Sequence, residues 1–474
     1  MIRYTFGWLL LFETLFLCVP LITAAVYLEG AFFSFLITML ITLVPGVILS
    51  RRKPKHTELY ARDGFFIVSL SWIIISLFGA LPFLFTGSAH SFVDALFESV
   101  SGFTTTGASV FLDVEALPKS ILIWRSFTHW IGGMGVLVFI MAFLPLSGGQ
   151  NMHIMRAESP GPEVSKLVPR VKNTAIILYI IYFALTLIML ITMLISGMTV
   201  FEAVNASFST AGTGGFGFYN DSFASFTPLQ QVLTTVFMLI FSINFNSYYL
   251  VLKLKLKNAF NTEVRAFLLV VLAAIVIISI NISSMYEGVD EAVRHSAFTV
   301  ASLISTTGFS TVNYDAWPEL ARTVLIIIMF MGACAGSTGG GIKVSRILIL
   351  FKGITRELCT IVHPRQVKKI TLDDHPVNHE VTRSVNAYIA TFIVVFAVSL
   401  VALSFEDRDF ITNFTAVTAT LNNTGPGFAG VGPTSCYASF SPFSKLVLIF
   451  DMLAGRLELF PMLLLFSPST YRRR

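Results

Sequence analysis

Charge is scarce in this chain. Of 474 residues, only 12% are Asp, Glu, Lys or Arg, about half the roughly 25% of an average soluble domain. So little polar material cannot cover the cores of a soluble fold this long, which excludes a soluble multidomain enzyme. Cysteine is scarce too. Cys18, Cys334, Cys359 and Cys436 are too few and too scattered for a disulfide framework or a CxxC metal site. Apolar residues are abundant instead, at 55%, with a mean hydropathy of +0.77. This excludes a disordered chain and leaves a polytopic membrane protein.

Ten apolar runs approach the length of about 20 residues that crosses a bilayer. They lie at 6–28, 31–50, 64–86, 121–145, 174–196, 229–252, 265–285, 320–351, 384–404 and 443–466. The first is too long for the apolar core of a signal peptide, and a second follows at once, so it is read as a retained span. The few charges are sorted between alternate loops. One set holds Arg51, Arg52, Lys53, Lys55 and Arg62, then Arg156, Lys166, Arg170 and Lys172, then Lys253, Lys255 and Lys257. Arg265, then Lys352, Arg356, Arg365, Lys368, Lys369 and Arg383, and the terminal Arg472–Arg474 complete it. The other set holds mainly acids, among them Asp94, Glu98, Glu202, Asp315, Glu406 and Asp409. The basic set is expected to face the cytoplasm, with both termini there. The same rule accounts for the basic loops without a nucleic-acid partner.

The acidic loops after the third, fifth, seventh and ninth runs repeat one pattern. A short amphipathic stretch, too short to span, runs into a Ser/Thr/Gly-rich segment, and a long apolar run follows. Aligned on Gly107, Gly215, Gly308 and Gly425, the segments place serine six residues earlier in three cases (Ser101, Ser209, Ser302). An acid stands thirteen earlier in two (Asp94, Glu202). The glycines are 108, 93 and 117 residues apart. The expected fold is therefore an all-α polytopic membrane protein. Four pseudo-symmetric helix–re-entrant loop–helix repeats surround one pore, and two extra N-terminal helices precede them. The expected units are 1–62 (the extra pair), 63–172, 173–264, 265–383 and 384–474.

Such segments suit a cation. A dehydrated cation needs several oxygens, which backbone carbonyls supply. Glycine opens backbone conformations closed to other residues. A re-entrant helix ending there aims the negative end of its dipole inward. Acidic outer loops are expected to concentrate cations at the mouth.

Two motifs are decoys. Gly212–Gly217 fits G-x-G-x-x-G, but it follows no strand pattern and is assigned to the outer side. Gly336-Ser337-Thr338-Gly339-Gly340-Gly341-Ile342-Lys343 resembles a phosphate loop with one residue too many. Three consecutive glycines should break the eighth run instead. That break is read as a gate beneath the filter, the alternative being a packing patch of small residues. Arg456, inside the tenth run, is either a positive barrier or the partner of Asp451 or Glu458. Ser126, His129 and His295 do not make a hydrolase set by spacing.

The stretches Trp124-Arg125-Ser126, Trp130-Ile131-Gly132-Gly133-Met134-Gly135, Thr105-Thr106-Gly107 and Asn422-Asn423-Thr424-Gly425-Pro426-Gly427 closely resemble the TrkH branch of the bacterial TrkH/KtrB potassium-uptake family. The resemblance covers nearly the whole chain. It implies a channel-like, non-enzymatic K+ uptake subunit of the bacterial inner membrane, with K+ as the transported ion and no organic cofactor. It implies a homodimer with one pore per protomer, gated by a cytosolic TrkA-like nucleotide-binding ring. The filter positions it implies are Thr105, Thr106, Gly107, Thr213, Gly214, Gly215, Thr306, Thr307, Gly308, Asn423, Thr424 and Gly425. The implied gate comprises Gly336, Gly339, Gly340, Gly341, Lys343 and Arg456. Two departures stand out. Gly214 replaces the threonine of the other repeats, and the fourth segment has Asn423 and Pro426. One glycine per repeat is shorter than the TVGYG filter, so weaker K+/Na+ discrimination is expected. The alternative is a symporter coupling K+ to H+ or Na+. That class usually shows inverted repeats with midplane carboxylates, whereas these repeats share one orientation.

Overall fold

The structure is a computed structural model. It describes residues 2–51, 61–135, 171–365, 369–373 and 375–468. The basic residues within 52–60 and 136–170, Lys368, the terminal arginines Arg472–Arg474 and the end of the fourth run lie outside the described residues.

Among the described residues, six helices are long and apolar enough to cross a membrane: Ile2–Val26, Ala31–Ser50, Asp63–Phe85, Ala175–Ile195, Thr262–Met285 and His379–Glu406. The only strands described are Thr371–Leu372 and His375–Pro376, paired antiparallel. Among the described residues no strand precedes either glycine decoy. The first two helices pack so closely that a Cβ on Gly7 would lie 2.5 Å from the Ser50 nitrogen. They join the first repeat through Glu29, which accepts hydrogen bonds from the Lys119 and Ser120 N–H groups at 2.7 and 3.1 Å. A carboxylate there satisfies the free donors of a helix start.

Each repeat then has a re-entrant helix: Phe92–Phe103, Val200–Ala211, Val289–Ile304 and Phe410–Leu421. Three have twelve residues and the third sixteen, a rise of about 18–24 Å, short of a hydrocarbon core of about 30 Å. The starts are set by side-chain caps. Ser91, Thr199 and Asp409 each stand sixteen residues before the repeat glycine and accept an N–H three residues on. Asp94 and Glu202, the acids the alignment matched, occupy that third position, and Glu202 completes a capping box.

The helix after each re-entrant segment departs from the sequence reading. Four continuous spans were expected to follow, with only the third broken. Instead the four helices run Lys119–Gly133, Pro228–Ser242, Glu319–Met331 and Pro442–Arg456. At 13 to 15 residues, none spans alone. The second turns by 92° into Phe245–Leu252. The third enters the loop 332–343. The fourth stops at Glu458 and Leu459, both left-handed (φ 56° and 67°), before Phe460–Leu465. The polar residues at these breaks are too few to lower the average hydropathy of the runs, so hydropathy alone does not register them.

Candidate functional site: a ring of four helix ends

The four re-entrant helices end in the same hydrogen-bonded turn. Thr106, Gly214, Thr307 and Thr424 donate their N–H to the carbonyls of Ser101, Ser209, Ser302 and Ala419 at 2.8–2.9 Å. The preceding residues Thr105, Thr213, Thr306 and Asn423 donate to Gly102, Thr210, Leu303 and Thr420 at 3.0–3.2 Å. This paired pattern is a Schellman ending, whose left-handed position is usually glycine. Here it holds Thr105, Thr213, Thr306 and Asn423, with φ of 53–60°. Asparagine tolerates that conformation, but for threonine it is an outlier. Sparsely populated backbone states cost on the order of 1–3 kcal/mol each and cluster at functional sites. Two residues on, Gly107, Gly215, Gly308 and Gly425 are left-handed again (φ 78–91°).

The glycines close a ring. A Cβ on Gly107 would lie 1.9 Å from the carbonyl oxygen of Gly214. On Gly215 it would lie 1.7 Å from that of Thr307, on Gly308 2.3 Å from that of Thr424, and on Gly425 2.6 Å from that of Thr106. Each glycine thus abuts the carbonyl that precedes the next repeat's glycine, in the order one, two, three, four and back to one. No side chain fits between neighbours.

Behind the ring, the Trp130 motif explains itself. A Cβ on Gly132 would meet the Phe103 oxygen at 1.8 Å, and one on Gly133 the Gly212 Cα at 2.7 Å. These glycines let the helix press against the first two helix ends. His129 accepts from the Phe216 N–H at 3.2 Å, and its Nδ1 lies 2.8 Å from the Gly102 oxygen. That pairing assigns a neutral ring protonated at Nδ1. The ring also explains Gly214, because a Cβ there would sit 2.2 Å from it. The second repeat departs from threonine because a histidine fills the space. Asn423 donates to the Thr106 hydroxyl and the Met452 carbonyl, both at 2.9 Å. Ser209 and Ser302 donate to the carbonyls of Phe216 and Phe309 at 2.9 and 2.6 Å, which accounts for two of the three aligned serines; Ser101 makes no such bond.

Sequence reasoning missed the role of one pair. Arg125 and Glu98 are buried together, Nε to Oε1 at 2.8 Å. Arg125 also donates to the Gly217 carbonyl at 3.0 Å, and Glu98 accepts from the Val110 N–H at 3.0 Å. The pair braces the segments leaving the first two ring positions. An arginine quoted within a motif, 27 residues from its carboxylate, carried no periodic signal. Ser126, His129 and His295 do not meet: they bond to Asn205, Gly102 and Thr311 respectively.

On one side of the ring all four glycines line a cavity of about 190 Å³. The acids of the neighbouring loops, among them Asp113, Glu115 and Asp221, stand beside its lining residues Leu112, Val114, Asn220 and Ser222 in sequence, and none is itself in the lining. Asp94 and Glu202 stand at the helix starts, and Asp94 is also paired with Lys445. Burial pushes the Asp94 carboxyl up, but Lys445 at 2.6 Å and Ser91 outweigh it and hold it below its ordinary range. Burial of Glu202 is likewise outweighed by hydrogen bonds from Tyr219 and Thr199.

Toward the glycine loop the space shrinks to about 20 Å³, lined by Gly339, Gly340, Gly341, Lys343, Asn423, Gly455, Arg456 and Glu458. The loop's base is closed by Ile342 and Lys343 N–H groups on the carbonyls of Phe330 and Met331. Its tip reaches the ring: Gly340 donates to the Thr306 hydroxyl at 2.6 Å and Gly341 to the Asn422 carbonyl at 3.0 Å. Lys343 Nζ donates to the Gly339 carbonyl. Gly336 touches the bend of the second repeat, its carbonyl accepting from Phe245 at 3.0 Å. Arg456 donates to the Thr338 carbonyl at 3.0 Å and to the carbonyls of Gly132 and Gly133. Asp451 accepts from Ser399 at 2.6 Å, and Glu458, which lines the same space as Arg456, is bound to Arg346.

The TrkH family, described as a cation transport protein, matches residues 31–472. The chain is 37% identical over 462 residues to the Trk system potassium uptake protein TrkH of Salmonella typhimurium, covering 96% of this chain and 95% of that one. It is 34% identical to the Trk system potassium uptake protein TrkG of Escherichia coli, covering 98% and 97%. The crystal structure of the potassium transporter TrkH from Vibrio parahaemolyticus superposes with a TM-score of 0.89 at 34% identity, covering 99% of both chains.

Proposed function

The chain belongs to the TrkH family of cation transport proteins, and on that premise we propose that it is a channel-like potassium-uptake subunit. The observation that carries this reading is the closed ring of four glycine–carbonyl contacts. Oxygens held at fixed spacing replace a hydration shell without a full charge, so an ion binds and still leaves. The filter comprises Thr105, Thr106, Gly107, Thr213, Gly214, Gly215, Thr306, Thr307, Gly308, Asn423, Thr424 and Gly425. The strain at the left-handed threonines is the cost of fixing those oxygens.

The loop bearing Gly336, Gly339, Gly340, Gly341 and Lys343 closes the inner side, together with Arg456. The narrow space beneath the ring supports this gate. Its opening is assigned to a cytosolic TrkA-like nucleotide-binding ring docking on the basic face, with both termini on that side. The protein works in the bacterial inner membrane as a homodimer. The repeats keep the limits 63–172, 173–264, 265–383 and 384–474.

The test uses purified protein in liposomes without the regulatory partner. K+ should move only down its own gradient. Uphill K+ movement driven by a proton or sodium gradient would overturn the pore in favour of the symporter.

A further inference from the structure

Beneath the loop lies a buried carboxylate to which the filter and gate readings give no role. Glu263, the second residue of the helix Thr262–Ile282, is 7% exposed. Its Oε1 accepts from the Ala335 N–H at 2.7 Å and from the Ser345 N–H at 3.1 Å. The two donors stand on opposite legs of the glycine loop. Ala335 is on the descending leg, and Ser345 is the second residue of the helix Val344–Val362. Both N–H groups lack a helical partner, the second because the first turn of any helix leaves its donors free. One oxygen therefore ties the two legs together below the tip that touches Thr306 and Asn422.

The same helix start is held from the exposed side. Asp373, in the turn between the two short strands, accepts from the Thr262 N–H and hydroxyl at 2.6 and 2.7 Å. A cavity of about 250 Å³ lies between this hairpin and the loop, and Glu263, Asp373, Ala335 and Ser345 all line it. The hairpin, the helix start and the loop thus form a contiguous chain of contacts.

We infer that Glu263 is a positioning residue that latches the intramembrane loop against the filter. The inference rests on the gate reading above. Releasing the latch frees both legs while leaving the ring untouched, so flux rises and ion selectivity is unchanged.

The test measures K+ flux and K+/Na+ discrimination in liposomes for Glu263→Ala, Glu263→Gln and the deletion of Gly339–Gly341, singly and combined. Glu263→Ala should raise flux at least fivefold with unchanged discrimination. Glu263→Gln keeps an acceptor oxygen and should stay within twofold of the unsubstituted protein. In the deletion background Glu263→Ala should add nothing, because the latch then has no loop to hold. If the deletion raises flux and Glu263→Ala does not, the latch is wrong and the gate stands. If the deletion leaves flux unchanged, the gate itself fails and takes the latch with it. A Gln variant as fast as the Ala variant, or an Ala effect that persists without the loop, also overturns the latch. Should Glu263→Ala not fold, Ser345→Pro removes one of the two N–H donors at a first-turn position that accepts proline. It should raise flux by at least twofold, and wild-type flux in that variant rejects the inference.

Discussion

Gly107→Ser probes the ring directly. The new Cβ would start 1.9 Å from the Gly214 carbonyl oxygen, and real Cβ contacts essentially never fall under 3.0 Å. One of the two must retreat by about 1 Å, and a close-packed interior leaves nowhere for the new atom to go. The residue must also hold φ near 80°, which costs an L-amino acid about 1–2 kcal/mol. Much of that strain relaxes by displacing the Gly214 oxygen, one of the four ring oxygens. A loss of about 1–2 kcal/mol in differential binding is a factor of about 5–30. K+/Na+ discrimination should therefore fall about 5- to 30-fold, while total cation flux persists. The assay is the reversal potential, or paired K+ and Na+ flux, in liposomes, with monodisperse protein as the folding check. Gly30→Ser is the control, since nothing lies within 4 Å of a Cβ there. Unchanged discrimination in folded Gly107→Ser protein would refute the ring as the selective element.

Three further outcomes are expected. Deleting Gly339–Gly341 should raise K+ flux, because those residues carry the contacts to Thr306 and Asn422; a wild-type or lower rate in folded protein sinks the gate. Arg456→Gln removes a charged donor to the Thr338 carbonyl. Such bonds are worth about 1.5–3 kcal/mol, so flux should rise roughly tenfold, and a fall in flux would contradict a barrier role. Arg125→Met strands the buried Glu98 and should cost about 3–5 kcal/mol, read as a lowered melting temperature. Adding Glu98→Leu should recover most of that loss, and a double variant no more stable than the single one would argue against the ion pair as the cause.

Much of the site was legible in the sequence because its determinants are local. The turn at each helix end spans six residues. Its glycine, its serine and the acid at the helix start sit at fixed offsets that one alignment brings out. The loop at 336–341 was legible for the same reason, since three adjacent glycines defeat a helix wherever they fall. The fourth repeat was harder to read, because Asp409 caps from a different position than the matched acids and Ala419 replaces the serine. The breaks after Ser242 and Arg456 were not legible from hydropathy, because their few polar residues, Asn244 and Asn246 in the first and Arg456 and Glu458 in the second, sit inside long runs that remain apolar on average.

The sequence by itself determined that the chain is a membrane protein of four repeats, and which residues end the re-entrant helices. Hydropathy and turn chemistry act over a few residues, so they can be read without coordinates. Only the tertiary structure decided that the four ends close into one ring, that His129 replaces a threonine side chain behind Gly214, and that Arg125 finds Glu98. It also decided that Asp94 pairs with Lys445 of the fourth repeat. Each of these depends on groups from separate helices coming within about 3 Å, a distance fixed by how the helices pack.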